Sequence, residues 1–269
     1  MKKLARAFKA FYLIFKRPWL LNKILDDDGT WFDYLQKNHQ LKSFPVIKID
    51  TLFPDFQTTL NTFAFLDGGS LPTDIALLKL LAAEFKDCSY FEIGTWRGES
   101  VVNVAENATE CYTLNLSKQE LLTLGLNEKY ADLHAFFSKN VSKIIHLEGN
   151  SMNYDFASLN KKFDLIFIDG NHHYEYVKND TSKVFEHLVH EHTVIVWHDY
   201  AYAPEKLRPE VIAAILDGTP KAFRKNLFQV SNSMCAIFSR KNYKTHDFSP
   251  LSSPAIKFEV KLKVEKIND

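Results

Sequence analysis

From residue 72 to residue 240 the chain repeats one unit, a short and almost wholly apolar run followed by a stretch of helical spacing. The runs are CSYFEI at 88–93, CYTLN at 111–115, KIIHLEG at 143–149, FDLIFID at 163–169 and TVIVWHD at 193–199. A strand with one wet face alternates apolar and polar residues; these mostly do not, so both of their faces must be covered. The intervening segments supply helical crossovers, the first of them TDIALLKLLAAEF at 73–85 with Thr73 or Asp74 as its cap. The chain is therefore expected to be an α/β protein with a doubly wound, mostly parallel sheet. LFQVS at 227–231 and MCAIFSR at 234–240, joined through Asn232 and Ser233, predict an antiparallel hairpin that brings the sheet to seven strands.

This pattern divides the chain into an N-terminal helical and strand extension (1–71), the main domain (72–241) and a C-terminal extension with one strand (242–269). The first twenty-five residues carry Lys2, Lys3, Arg6, Lys9, Lys16, Arg17 and Lys23 and no acid, while Leu4, Phe8, Phe11, Tyr12 and Phe15 recur at helical spacing. An amphipathic basic helix follows, which rests either on anionic lipid through residues 2–17 or on its own domain or a dimer partner. Asp26, Asp27 and Asp28 before Gly29 read as a turn and helix cap in preference to a cation site. PVIKIDTLF at 45–53 alternates as a half-buried strand. So does 256–264, where Ile256, Phe258, Val260, Leu262 and Val264 alternate with Lys257, Glu259, Lys261 and Lys263. The two are expected to pair with each other, or the second with another subunit; a homo-oligomer is the expected assembly.

Thirty-three basic residues balance thirty-three acidic ones, which excludes a chain built as a whole to neutralise nucleic-acid phosphates and favours a small-molecule substrate. Cys88, Cys111 and Cys235 are odd in number, lack metal spacing and lie in apolar runs, as expected of reduced buried thiols. With no apolar run long enough to span a bilayer, a cytoplasmic protein is expected, with peripheral contact to the inner face of the membrane through the first helix as the variant of that reading.

In such a sheet ligands gather beyond the carboxyl ends of the strands. After CSYFE, Gly94 and Gly98 allow a tight turn and close ligand approach, with Thr95 between them, Ser100 opening the next helix and Glu92 at the strand tip. Glu92 stands where a dinucleotide fingerprint has its first glycine, and a carboxylate there opposes a diphosphate. The pattern ExGxxxGxS resembles motif I of class I S-adenosylmethionine-dependent methyltransferases. FIDGNHHYEYVKND at 167–180 followed by VIVWHDY at 194–200 resembles the FIDGxHxY and HDY pair of the macrocin O-methyltransferase-like family, methyltransferase family 24. GNS at 149–151 resembles that family's GDS.

The resemblance spans residues 85–240 and implies a Rossmann-like methyltransferase fold. It also implies S-adenosylmethionine as cofactor, held by Glu92, Gly94, Thr95, Gly98, Ser100, Asn115, Asn150, Ser151, Asp169 and His172. The chain departs from the family at Asn115 and Asn150, where acids are usual; an amide still accepts from a ribose hydroxyl but lacks charge-assisted strength. Asp169 and Asp199 end adjacent strands and together suit a hard cation such as Mg²⁺, with Asn171 as a further oxygen. His172 is the first candidate for general base and His198 the second; His173 is expected to face the next turn. His187, His190 and His192 read as a solvated helix end, and Tyr174, Trp96 and Trp197 as aromatic residues that either line the pocket or belong to the core. O-methylation of a small hydroxylated acceptor, a sugar among the candidates, is the leading expectation. A non-catalytic binding or scaffold protein and a nicotinamide-dependent oxidoreductase stand as alternatives.

Overall fold

The computed structural model describes residues 2–21 and 27–267; Asp26 and Lys23, named above, lie outside them. A first helix, α1 (Lys2–Lys16), runs into a 3-10 turn at Pro18–Leu21. Then α2 (Asp28–His39) begins on the Asp27 carboxylate, which accepts from the Gly29 N–H, a turn and cap as expected of this acidic run. A two-residue strand β1 (Val46–Ile47) is followed by a short helix α3 (Ile49–Leu52). The expected 45–53 strand is thus cut short after Ile47, although Ile47 and Ile49 are both buried.

The main domain opens with α4 (Pro72–Ala83), β2 (Cys88–Ile93), α5 (Glu99–Val104) and β3 (Ala108–Asn115). Two short helices, α6 (Lys118–Thr123) and α7 (Glu128–Asp132), lead to β4 (Ile144–Glu148). Next come β5 (Leu165–Ile168), α8 (Tyr174–His187), β6 (Val194–Trp197), a small hairpin of β7 (Ala201–Ala203) and β8 (Lys206–Leu207), and α9 (Pro209–Gly218). The strands β9 (Leu227–Val230) and β10 (Ala236–Phe238) form the expected antiparallel hairpin. α4 starts one residue before the expected cap: Pro72 takes the first helical position, and Asp74 reaches back to accept the Leu71 N–H at 2.8 Å.

The sheet runs β1-β9-β10-β6-β5-β2-β3-β4 and has eight strands, one more than expected, because β1 adds in parallel to β9 at the edge. Only β10 runs against its neighbours β6 and β9, so the sheet is mostly parallel, the architecture of the Rossmann-like methyltransferase fold. Side-chain alternation sends Phe91, Ile93, Ile166, Ile168, Ile195 and Trp197 to the face covered by α8 and α9. Tyr90, Leu165, Phe167, Val194 and Val196 go to the opposite face with Leu77, Leu78 and Val101 from α4 and α5. Each of these strand residues is at most 4 % exposed, as continuous apolar runs demand. β4, at the other edge, keeps an exposed face. Strand order reverses at β2, which lies between β3 and β5, and this opens the crevice.

The expected C-terminal strand does not form. No residue of 256–264 enters a ladder, and β1, its expected partner, takes β9 and an isolated bridge to His246 instead. Ile256 packs on the core beside Phe258, whose ring meets Phe56 edge-on at 5.7 Å, while Val260, Leu262 and Val264 are exposed. All three cysteines are free and buried, and burial pushes the Cys88 and Cys111 thiols up to about 12. Among the described residues no helix is long and apolar enough to cross a membrane.

Candidate active site at the strand tips

The turn after β2 is held by backbone packing. Gly94 has φ +94° and donates to the Leu114 carbonyl, and a Cβ on it would overlap the carbonyl oxygen of Asp169. The Asp169 N–H in turn donates to the Ile93 carbonyl at 2.8 Å, so the loops after β2 and β5 form one surface. Gly98 has φ +83° and caps α5, close against Ser138.

Glu92 faces inward and is wholly buried. It accepts from the hydroxyls of Tyr90 (2.8 Å), Ser100 (2.9 Å) and Thr113 (3.0 Å), and Thr113 also bonds the Thr95 hydroxyl. Burial raises its carboxyl to about 8, so at neutral pH it holds its proton. The sequence argument that a charge on Glu92 repels a diphosphate therefore loses its basis; Glu92, Thr95 and Ser100 brace the turn from below. Such inward rotation is invisible in a motif, since a strand tip can point either way.

Asn115 ends β3. Its amide nitrogen lies 2.8 Å from His134 Nδ1 and donates to the Leu116 carbonyl, with Trp96 and Tyr130 tilted against each other at 4.8 Å beside that histidine. Asn150 uses its side-chain oxygen on the Met152 N–H, and the Ser151 carbonyl accepts from Asn179. Beneath them Asp180, absent from the sequence argument, is buried, and its carboxyl is pushed up to about 6 by that burial. Trp96 thus lies on the turn after β2, whereas Trp197 is core, its indole N–H bonded to Thr181. Tyr174 donates to Asp217 at 2.7 Å and stacks on Trp31 of α2 at 4.9 Å.

The tips of β5 and β6 carry the densest charge. His198 is 8 % exposed and lies among three carboxylates: Nε2 is 3.3 Å from Asp74, and Nδ1 is 3.1 Å from Asp169 and 3.5 Å from Asp199. Burial opposes its charge, but these carboxylates outweigh burial and hold its pKa well above the usual histidine range. Burial raises Asp169. For Asp199 burial acts in the same sense but is overcome by His198 and by Arg208, 3.0 Å away, which bring it below the usual range. Asp199 also sits at φ +55°, a strained left-handed backbone of the kind found at functional turns.

The ligand atoms of Asp169, His198 and Asp199 lie within 4.8 Å of one another. His198 Nδ1 is buried without an aligned hydrogen bond, although Asp169 is close. Three carboxylates against one arginine leave a net negative charge, which a proton on His198 would halve and a divalent ion among these atoms would neutralise. The donor set of two carboxylates and one imidazole, with Nε2 directed at the wholly buried Asp74, fits a metal whose histidine is oriented by a carboxylate behind it. Sequence reasoning named Asp169, Asp199 and His198 but missed Asp74 and Arg208. Asp74 was legible only as a cap, because its other partners, His198 and Met234, are 124 and 160 residues away.

His172 is on the same rim, 3.8 Å from Asp199, and burial together with Arg208 lowers its pKa. His173 caps α8 and faces Glu210. Asn171 accepts the His173 N–H at 2.9 Å through its side-chain oxygen. His190 pairs with Asp164 at the amino end of β5, remote from the strand tips, in keeping with the structural reading of HLVHEH.

Residues 91–200 match the family model described as a methyltransferase domain. No curated protein matches the chain by sequence. Similar solved structures include the SAH-bound methyltransferase PaMTH1 of Podospora anserina, 20 % identical with a TM-score of 0.46, covering 78 % of this chain and 93 % of that one. The O-methyltransferase from Bacillus cereus in complex with SAH is 16 % identical with a TM-score of 0.43, covering 80 % and 100 %. The match at 91–200 spans the turn after β2, the crevice wall at β3 and the charged tips of β5 and β6.

Proposed function

We propose that this chain, an S-adenosylmethionine-dependent methyltransferase by its domain at 91–200, methylates a hydroxyl of a small acceptor at the tips of β5 and β6. The observation that carries the acceptor reading is the cluster of Asp169, His198 and Asp199 beside His172. The turn 94–98 would hold the cofactor, with Asn115 as the residue for its ribose hydroxyls and Asn150 and Ser151 as those for its base. Methyl transfer is an in-line displacement: the acceptor oxygen–carbon bond forms, the sulfur–carbon bond breaks, and the hydroxyl proton must leave.

His172 takes that proton. Its lowered pKa leaves the ring neutral near pH 7, and with Nδ1 turned to Asp199 its Nε2 is the acceptor. Asp169, Asp199 and His198 Nδ1 would hold Mg²⁺, which when bound lowers the pKa of an acceptor hydroxyl and fixes its position. Asp74 holds His198 from behind, and Arg208 fixes Asp199. Sugar hydroxyls are the acceptor class to assay first.

Thermal-shift measurement with S-adenosylhomocysteine, S-adenosylmethionine and NAD tests the cofactor: the first two should raise Tm, and stabilisation by NAD alone would overturn the reading. Asp169→Asn and Asp199→Asn should each lower Mg²⁺-dependent turnover by about a hundredfold or more with the fold intact. Turnover indifferent to EDTA would remove the metal from the scheme.

A further inference from the structure

The apolar stripe expected along the first helix exists, and the protein does not cover it. Among the described residues, α1 touches the turn at Pro18–Leu21 and no other element by more than slight contact. Leu4, Phe8, Phe11, Tyr12 and Phe15 are between 58 % and 84 % exposed, and Trp19 follows at 55 %. Five large apolar side chains at 4, 8, 11, 12 and 15 share one side of a helix about 22 Å long. Among the described residues, this helix does not pack its stripe on the domain.

We propose that α1 is an interfacial membrane anchor, its stripe lying in the headgroup boundary of an anionic bilayer. Charge selects this occupant. Lys2, Lys3, Arg6, Lys9, Lys16 and Arg17 have no acid among them, and no acid precedes Asp26, although the whole chain is neutral. A stripe flanked by bases and ending in tryptophan is the composition of helices that lie in the plane of a lipid surface. A second copy of α1 is the poorer occupant, because symmetric pairing would bring two sets of five like charges together across one seam.

The place where the chain rejoins the domain agrees. Asp28, at the start of α2, accepts the Tyr202 hydroxyl at 2.9 Å, and Tyr202 lies in β7, three residues beyond Asp199. The next α-helix of the chain, α2, is therefore tied to the rim of the crevice at the strand tips. The proposal does not depend on the chemistry assigned to that crevice.

Flotation of the full chain with vesicles tests it. The protein should float with phosphatidylcholine vesicles containing about a third phosphatidylglycerol and not with phosphatidylcholine alone, and should be released as salt shortens the Debye length. Phe8→Asp with Phe15→Asp should lower partitioning by at least about tenfold, as should Lys3→Gln with Arg6→Gln and Lys9→Gln. The Tm of the core should stay unchanged in both, since neither face touches it. A full chain that ignores anionic vesicles overturns the proposal. So does a Phe8 and Phe15 variant that floats like the parent, or a dimer in sedimentation equilibrium that this variant dissolves.

Discussion

Residues 88–199 and the two ends of the chain carry equally regular patterns and meet different fates. In the centre every patterned run finds a partner, and β2 lies between β3 and β5 with both faces covered. At the ends α1 and 256–264 present alternation just as clear, yet Phe15 and Val264 are 84 % and 93 % exposed. Pattern states which side of a segment is apolar; it does not state that anything within the same chain will cover it. The centre should therefore be sensitive to small changes and the ends indifferent to large ones, as far as folding goes.

The sharpest probe of that contrast is Gly94→Ala. A methyl group there overlaps the Asp169 carbonyl at a backbone angle that favours glycine, so stability should fall by about 3 kcal/mol or more in urea denaturation. Gly125→Ala, with φ +84° but open space around it, should cost only about 1 kcal/mol. Equal costs would mean that the joint between the β2 and β5 loops does not matter.

Asp74→Asn comes next, because one buried side chain there ties α4, the β9–β10 turn and His198 together. Turnover should drop by about ten- to a hundredfold and half-saturation should need more Mg²⁺. A lower Tm with unchanged metal dependence would reduce Asp74 to a purely structural tie.

Glu92→Gln separates the brace from its charge. Because the folded state holds the Glu92 proton up to about 8, its contribution is complete below the unfolded carboxyl value and is lost as pH rises through 8. Parent Tm should therefore fall more than that of the variant between about pH 5 and about pH 8, and the two curves should run parallel above that. Curves parallel throughout would show that Glu92 is not wholly enclosed. The smallest effect belongs to the tail. Removing residues 255–269 forfeits the Ile256 and Phe258 contacts and should cost about 1 kcal/mol; a loss of several would break the contrast between centre and ends.

Most of the fold was legible because buried parallel strands carry their own signature, as Leu165–Ile168 and Val194–Trp197 do. The ends show the limit. α1 forms as expected because a helix satisfies its hydrogen bonds within itself, whereas 256–264 needs a second strand, and β1 is already paired with β9. In the site, Asp169, His198 and Asp199 were legible as neighbours because adjacent parallel strands end together. Asp74 and Arg208 come from a helix and a loop outside that logic, and the inward turn of Glu92 depends on Tyr90, Ser100 and Thr113.

The six bases of residues 2–17 leave the rest of a neutral chain with six acids in excess. Such a molecule is a weak monopole and a strong dipole. Near an anionic sheet it experiences little net pull as a body but a torque that turns its basic end inward and its acidic bulk outward. Orientation is then set before contact, over a range no longer than about 10 Å at physiological salt. Its isoelectric point near 7.1 conceals this, and electrophoretic mobility near neutrality would be small while retention on a cation exchanger would persist.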